Sequence, residues 1–256
     1  MAYKKMSVKK IEKWTGIKQK DVPKYLIVEG TWPWYTTIKD VKKYIKNPKP
    51  HWKWKNPWFG KHPNLPNVSL GYMVVFSSSM ASQLYFFLKL GVKYVFQIGS
   101  IGGLQNNIKI WDLIIPKECF KFDWLSQQFH TPKVVRCDKR LLSTVESSLK
   151  ELKFENYHIG RTVSVASNWI QTNERMIKWK KTGLLGVEQE TATIYSLCRA
   201  LGSKSIGLLR VVDTQKIGER LEDPKRRNKK KNQRLKDFVK DVVLLSIEKM
   251  EKSKRI

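Results

Sequence analysis

The chain reads as a single α/β domain with a mainly parallel sheet flanked by helices. Three observations predict this. From Gly71 onward, short apolar runs alternate with amphipathic stretches, the pattern of strand–helix repeats. The apolar runs stop at Gly, Ser or acidic residues, as buried strands do. The length, 256 residues, suits one domain.

The elements follow in order. Residues 1–24 are a basic leader holding a short helix, and the domain proper spans 25–256. Tyr25-Leu26-Ile27-Val28 is a buried-type strand that stops at Glu29-Gly30. Residues 31–66 mix Trp32, Trp34, Trp52, Trp54 and Trp58 with Lys and Pro. That mixture is either a stacking platform for bases or a flap whose indoles anchor a loop. Tyr72 to Phe76 predicts a strand, Ser77-Ser78-Ser79 a turn, and residues 80–90 a helix. Tyr94 to Ile98 is a strand feeding a glycine turn from Gly99 to Gly103. Further strands are expected at 111–116, 161–166 and 205–212. Helices are expected at 138–151, 189–201 and 232–252. Residues 215–234 are a basic loop, either a solvated segment or a lid beside the strand-end Asp213.

Composition narrows the function classes. No apolar run reaches the ~18 residues of a membrane span, and the leader lacks the apolar core of a signal peptide. Cys119, Cys137 and Cys198 are odd in number and widely spaced, so they make neither a disulfide framework nor a metal motif. A cytoplasmic protein without a metal or organic cofactor is expected. The net charge of +28 attracts nucleic acid and phosphorylated small molecules alike. The excess is spread along the chain with no nucleic-acid motif, so a nucleic-acid partner is a less favoured expectation.

Ligands of open α/β sheets bind outside the carboxyl ends of strands. Three polar clusters stand at such ends: Gly99 to Gly103, Glu188-Gln189-Glu190, and Asp213. Glycines there suit close backbone approach to a ligand, and carboxylates suit hydroxyl recognition and proton transfer. The residues are also open to plainer readings. Asp213 would serve as a strand-end cap, Glu190 as a first-turn helix carboxylate, and Trp169 as a loop aromatic.

Residues 95–116, VFQIGSIGGLQNNIKIWDLIIP, resemble the central block of the nucleoside phosphorylase and nucleosidase superfamily. That block is a strand, a G-[ST]-x-G-G turn and a K-x-G-D-[LV] pattern. Here Trp111 stands where the family usually has Gly. Residues 186–213, GVEQETATIYSLCRALGSKSIGLLRVVD, are similar to its second block: V-E-M-E, a small-residue helix, an apolar strand and V-S-D. Both blocks come in the family's order. The resemblance implies a twisted mixed sheet with helices on both faces, and cleavage of the base–ribose bond of a purine nucleoside. It implies these roles: Glu190 accepts from the ribose hydroxyls, Gln189 packs under the sugar, and Glu188 orders the site. Asp213 protonates N7 of the departing purine, Ser100 meets phosphate or water, and Trp169 stacks on the base. Gly99, Gly102 and Gly30 mark the backbone that approaches the ligand. A homo-oligomer, dimer or hexamer, is implied as well.

The chain departs from the family at its phosphate elements. Gln97 replaces an arginine that grips phosphate, the turn after the second strand is Ser77-Ser78-Ser79-Met80, and the first loop reads Glu29-Gly30-Thr31-Trp32-Pro33-Trp34. Phosphorolysis, with phosphate as co-substrate, is the first expectation. Hydrolysis by water oriented near Glu29 is the second, and a non-catalytic nucleoside-, nucleotide- or nucleic-acid-binding protein is the third. Alternation of side chains along a strand sets Arg210, three residues before Asp213, on the opposite face, and so excludes it as a substitute clamp.

Overall fold

A computed structural model describes residues 6–31, 46–50, 58–62, 64–65, 67–74, 77–129, 131–214 and 228–253. Most of the Trp-rich flap and residues 215–227 of the basic loop lie outside the described residues.

The strands are β1 (Tyr25–Thr31), β2 (Lys46–Pro50), β3 (Trp58–Lys61), β4 (Val68–Val74), β5 (Tyr94–Gly103), β6 (Leu113–Phe122), β7 (Val134–Arg136), β8 (Tyr157–Val165), β9 (Gly186–Glu188) and β10 (Lys204–Thr214). The α-helices are α1 (Val8–Thr15), α2 (Ser77–Lys89), α3 (Trp124–Gln127), α4 (Lys139–Glu151), α5 (Asn173–Lys181), α6 (Thr191–Ala200) and α7 (Lys229–Lys252).

The strands form one mixed sheet, and part of it closes on itself. β10 runs parallel to β5 and antiparallel to β6. β6 continues to β8, β8 to β9, and β9 returns antiparallel to β5. Beyond this ring the sheet extends from β5 through β1, β4, β3 and β2. The apolar run of β1 explains its place. Tyr25, Leu26, Ile27 and Val28 are each at most 1% exposed, so both faces of that strand are covered, as for a parallel strand between helix layers.

Two helix layers do the covering. On one face α6 packs on α2 and on the sheet, and the Tyr195 hydroxyl donates to Pro116 O and accepts from Gly207 N, both at 2.8 Å. On the other face α4 packs on α7. The buried Ser246 hydroxyl donates to Ser148 Oγ there at 2.9 Å.

Several boundaries differ from the sequence expectation for local reasons. Ser77-Ser78-Ser79 is not a turn but the first turn of α2. Part of the expected flap is sheet: β3 pairs antiparallel with β4, and β2 with β3. The leader does not stand apart. Ser7 caps α1, Gly16 ends it at φ 71°, and Ile11 is fully buried in the main core. β9, only three residues long, escapes any periodicity argument.

Helix α4 gives a direct test of local stabilisation. Asp138 is its N-cap and accepts from Arg140 N at 3.0 Å and Leu141 N at 3.1 Å. Removing such a cap costs about 1 kcal/mol. We expect Asp138→Ala to lower the thermal midpoint by about 2–4 °C in a chain of this size, measured by circular dichroism, with activity per folded molecule unchanged.

Candidate active site

The site is created by the way β5 changes partners. β1 pairs with β5 only as far as Glu29↔Ile98. β9 takes over that edge at Gly102↔Val187 and Gly103↔Gly186. Between them, Gly99, Ser100 and Ile101 have no strand partner on that side among the described residues, while β10 follows the opposite edge throughout. The carboxyl end of β5 is thus a switch point with a crevice beside it, the place where α/β sheets bind ligands. Ser100 is exposed at this opening.

The glycines here are not a turn. Gly99 to Gly103 lie within the continuous strand β5, and none has positive φ. They are required by close approach instead. A Cβ on Gly102 would stand 2.6 Å from Asp213 Oδ1, and one on Gly103 would stand 2.9 Å from Ile108 Cγ2. In Gly99 the corresponding neighbour is Leu209 Cδ2 at 3.1 Å.

A bulge in β10 decides which side chains share the site. Arg210 pairs with Ser100, Val211 with Ile101, but Asp213 with Gly102, so the register shifts by one residue at Val212. Ser100 and Gly102 are two apart and point to one face. Arg210 and Asp213 therefore also point to one face. This overturns the alternation argument that separated them: an inserted residue resets the parity of a strand. Along this α7-covered face, Glu29 is level with Ile98, Arg210 with Ser100, and Asp213 with Gly102.

Glu188 and its neighbours reach the same end from the other side. Glu188 is 5% exposed. Its Oε2 accepts from the backbone N–H groups of Glu190 and Thr191, both at 2.7 Å, and its Oε1 accepts from the Ser164 hydroxyl. Ser164 Oγ in turn accepts from Ala192 N at 2.8 Å. Glu188 and Ser164 together satisfy three of the four orphan donors that open α6. Burial pushes the Glu188 carboxyl above the usual carboxylate range, against those donors. Glu190 occupies the N-cap position without using its side chain as a cap. Glu190 follows directly on β9, whose Val187 pairs with Gly102.

The remaining expected residues fall as follows. The Gln189 side chain donates to Asn168 Oδ1 at 3.1 Å, while its own Oε1 is buried without a hydrogen bond. Trp169, next to Asn168, is 93% exposed and stacks on no described ring. Gly30 is part of β1, level with Met73 of β4. Gln97 is 2% exposed and lies on the other face, where its Oε1 accepts from the Thr191 hydroxyl at 2.9 Å. It is bonded into the α6 layer and turned away from Arg210.

Glu29 is not an open base. It is 5% exposed, ion-paired to Lys240 at 2.8 Å and Lys236 at 3.8 Å, both from α7. Burial alone would raise its pKa, but Lys240, Lys236 and Arg210 outweigh it and hold the carboxyl below the usual range. A carboxylate so neutralised abstracts protons poorly. Sequence reading missed the two lysines because Lys236 and Lys240 sit at helical spacing in a basic stretch, with nothing to mark them from the rest.

Trp111 carries a further structural signature. Its φ is 83°, the left-handed region, which costs a non-glycine residue about 1–2 kcal/mol. The backbone thus keeps the conformation that suits glycine. The indole packs on the main core and has Lys231 Nζ 5.3 Å from its ring centroid.

Residues 74–244 match the model of the phosphorylase superfamily. The chain belongs to that family. Proteins named nucleoside phosphorylases, which are glycosyltransferases, are among its relatives. It is 29% identical over 163 residues to a purine nucleoside phosphorylase DeoD-type of Colwellia psychrerythraea, covering 63% of this chain and 68% of that protein. It is 30% identical over 134 residues to a purine nucleoside phosphorylase DeoD-type 2 of Aliivibrio fischeri, covering 51% and 56%. The chain thus spans between about half and two thirds of the curated relatives it matches. A crystal structure of uridine phosphorylase from Vibrio fischeri ES114 superposes with TM-score 0.75 at 18% identity, over 91% of this chain and 95% of that one. That likeness shows the fold. No helix among the described residues is long and apolar enough to cross a membrane.

Two predictions follow from this geometry. Gly102→Ala places a methyl on the Asp213 carboxylate and should cut turnover by at least ~10-fold, with a thermal midpoint close to the parent. Glu29→Gln leaves two lysines and Arg210 around an uncharged amide and should destabilise by about 3 kcal/mol, read by denaturant unfolding. The sign with pH follows from the lowered pKa. The Glu29 contribution is full above the ordinary carboxylate range and is lost only as pH falls through its lower folded value. The mutant should therefore lose its deficit relative to the parent in acid.

Proposed function

We propose that this protein cleaves the N-glycosidic bond of a purine nucleoside, with phosphate as the acceptor. The observation that carries the reading is the convergence of Asp213 and the Glu188–Glu190 segment on the two strands that flank Gly102.

The chemistry assigns each group a task. Departure of the base builds positive charge on the ribose and negative charge on the base. The Glu190 carboxylate binds the ribose hydroxyls and stabilises the first. Asp213 donates a proton to N7 and relieves the second. Such proton donation contributes ~10²–10⁴-fold in rate. Glu188, fixed by its donors, holds the start of α6 and thereby Glu190. Gln189 packs under the sugar and Trp169 covers the base, with Gly99, Ser100 and Gly102 lining the acceptor side. The engagement of Glu29 by two lysines supports phosphate over water as acceptor. The relatives named as purine nucleoside phosphorylases support a purine. We include a homo-oligomeric, cytoplasmic state in this reading.

A nucleoside panel incubated with and without phosphate tests it. Free purine and ribose 1-phosphate should form together, and only when phosphate is present. Asp213→Asn should lower kcat for purine nucleosides by at least ~10², about 2.7 kcal/mol of barrier, with little change in affinity. Glu190→Gln should weaken binding and turnover together. Wild-type turnover by Asp213→Asn on every purine nucleoside would remove Asp213 as the general acid.

A further inference from the structure

The face that holds Asp213 contains a buried cation that the assigned chemistry does not use. Arg210 is 6% exposed, and its Nε has no hydrogen-bond partner among the described residues. Its Nη1 donates to Asn232 Oδ1, which fixes the direction of the guanidinium. A buried guanidinium N–H left unpaired is costly, because its hydration has been stripped with nothing in exchange. Buried polar groups are otherwise almost always paired, so such an exception calls for a ligand or a role.

Position identifies what would complete it. Arg210 is level with Ser100 in the strand register, and Ser100 is exposed at the stretch of β5 that neither β1 nor β9 pairs. It lies one step below Asp213 and Gly102 on the same face. The surrounding field favours an anion. Lys236, Lys240 and Arg210 all act on the single carboxylate of Glu29, and Lys240 is itself 3% exposed. A planar guanidinium and a hydroxyl carried at paired strand positions on one face suit a tetrahedral oxyanion by charge-assisted hydrogen bonds. The position at which an arginine is missing, Gln97, cannot serve, because it faces the other layer and is bonded to Thr191.

We propose that Arg210, with Ser100 level with it on β5, is the phosphate anchor of this protein, moved from β5 to the adjacent strand β10 and sharing a face with Asp213 because of the bulge at Val212. The proposal deepens the phosphorolysis reading and rests on it. Arg210 would bind and orient the nucleophile, while Asp213 above it serves the leaving base. The register spacing along the strand, ~6.6–7 Å for two residues, separates the acceptor end from the base end.

Calorimetric titration of inorganic phosphate into the full chain tests this, with the parent, Arg210→Gln, Arg210→Lys and Ser100→Ala, each checked for folding by circular dichroism. Arg210→Gln should weaken phosphate at least ~10-fold and leave nucleoside affinity within about 3-fold of the parent. Arg210→Lys keeps the charge without the fork and should fall between the two. If burial of Arg210 makes the Gln variant misfold, Arg210→Lys and Ser100→Ala carry the test, and each should still lose phosphate affinity selectively. Folded Arg210 variants that bind phosphate as the parent does would overturn the proposal. Loss of affinity for a nucleoside 5′-monophosphate but not for inorganic phosphate would overturn it too, by assigning Arg210 to the substrate end. The two readings fail differently. If the parent makes ribose 1-phosphate while Arg210 variants bind phosphate normally, only this assignment falls. If the parent binds no phosphate and releases free ribose, phosphorolysis falls and takes the anchor with it.

Discussion

The structure depends on the divided pairing of β5. A strand offers two hydrogen-bonding edges, and β10 occupies one of them along nearly the whole strand. The other edge is shared: β1 holds its first half and β9 its end. β1 and β9 belong to different parts of the sheet, and β5 passes from one to the other. That change of partner closes the ring of β5, β9, β8, β6 and β10. It also leaves Gly99 to Ile101 bare on one side and sets Ser100 at an opening. The glycines are the steric condition of the arrangement. Asp213 and Ile108 come too close to Gly102 and Gly103 for a side chain to fit without a shift, and Leu209 lies tight against Gly99.

The site is then organised by charge at two levels. On the β9 side, Glu188 spends its acceptors on the first N–H groups of α6. The carboxylate next in the motif, Glu190, is thereby relieved of capping the helix. On the α7 side, three cations gather round Glu29. The net charge of +28 is a property of the whole surface, but these particular cations are partly or fully withdrawn from solvent, where screening by salt is weak. Local placement, rather than the total, makes this face suited to an anion.

The bulge at Val212 links the two. A regular β10 would put Arg210 and Asp213 on opposite faces, with one of them buried in the α6 layer. One extra residue brings both under α7. Trp111 shows the same economy at the start of β6. Its backbone donates to Val211 O at 3.0 Å, beside the bulge, while holding a conformation better suited to glycine. The strain and the bulge therefore lie against each other, at the place where the site is shaped.

Much of this was legible in the residues. The apolar run Tyr25 to Val28, the alternation from Gly71 onward and the two ordered motif blocks determined the α/β class, the family, and the standing of Glu188 and Asp213 near strand ends, because burial and strand–helix periodicity are local properties of sequence. Other features were not. Whether Gly99 to Gly103 is a turn or a strand depends on which strands compete for its edge. The parity of Arg210 and Asp213 depends on one bulged residue that no hydrophobic pattern marks. The pairing of Glu29 with Lys236 and Lys240 joins residues more than 200 positions apart. The sequence by itself determined what the chain is built from and which polar groups stand at its strand ends. Only the tertiary structure decided which of them face one another, because register, closure and long-range ion pairing are set by contacts between segments and not by any one of them.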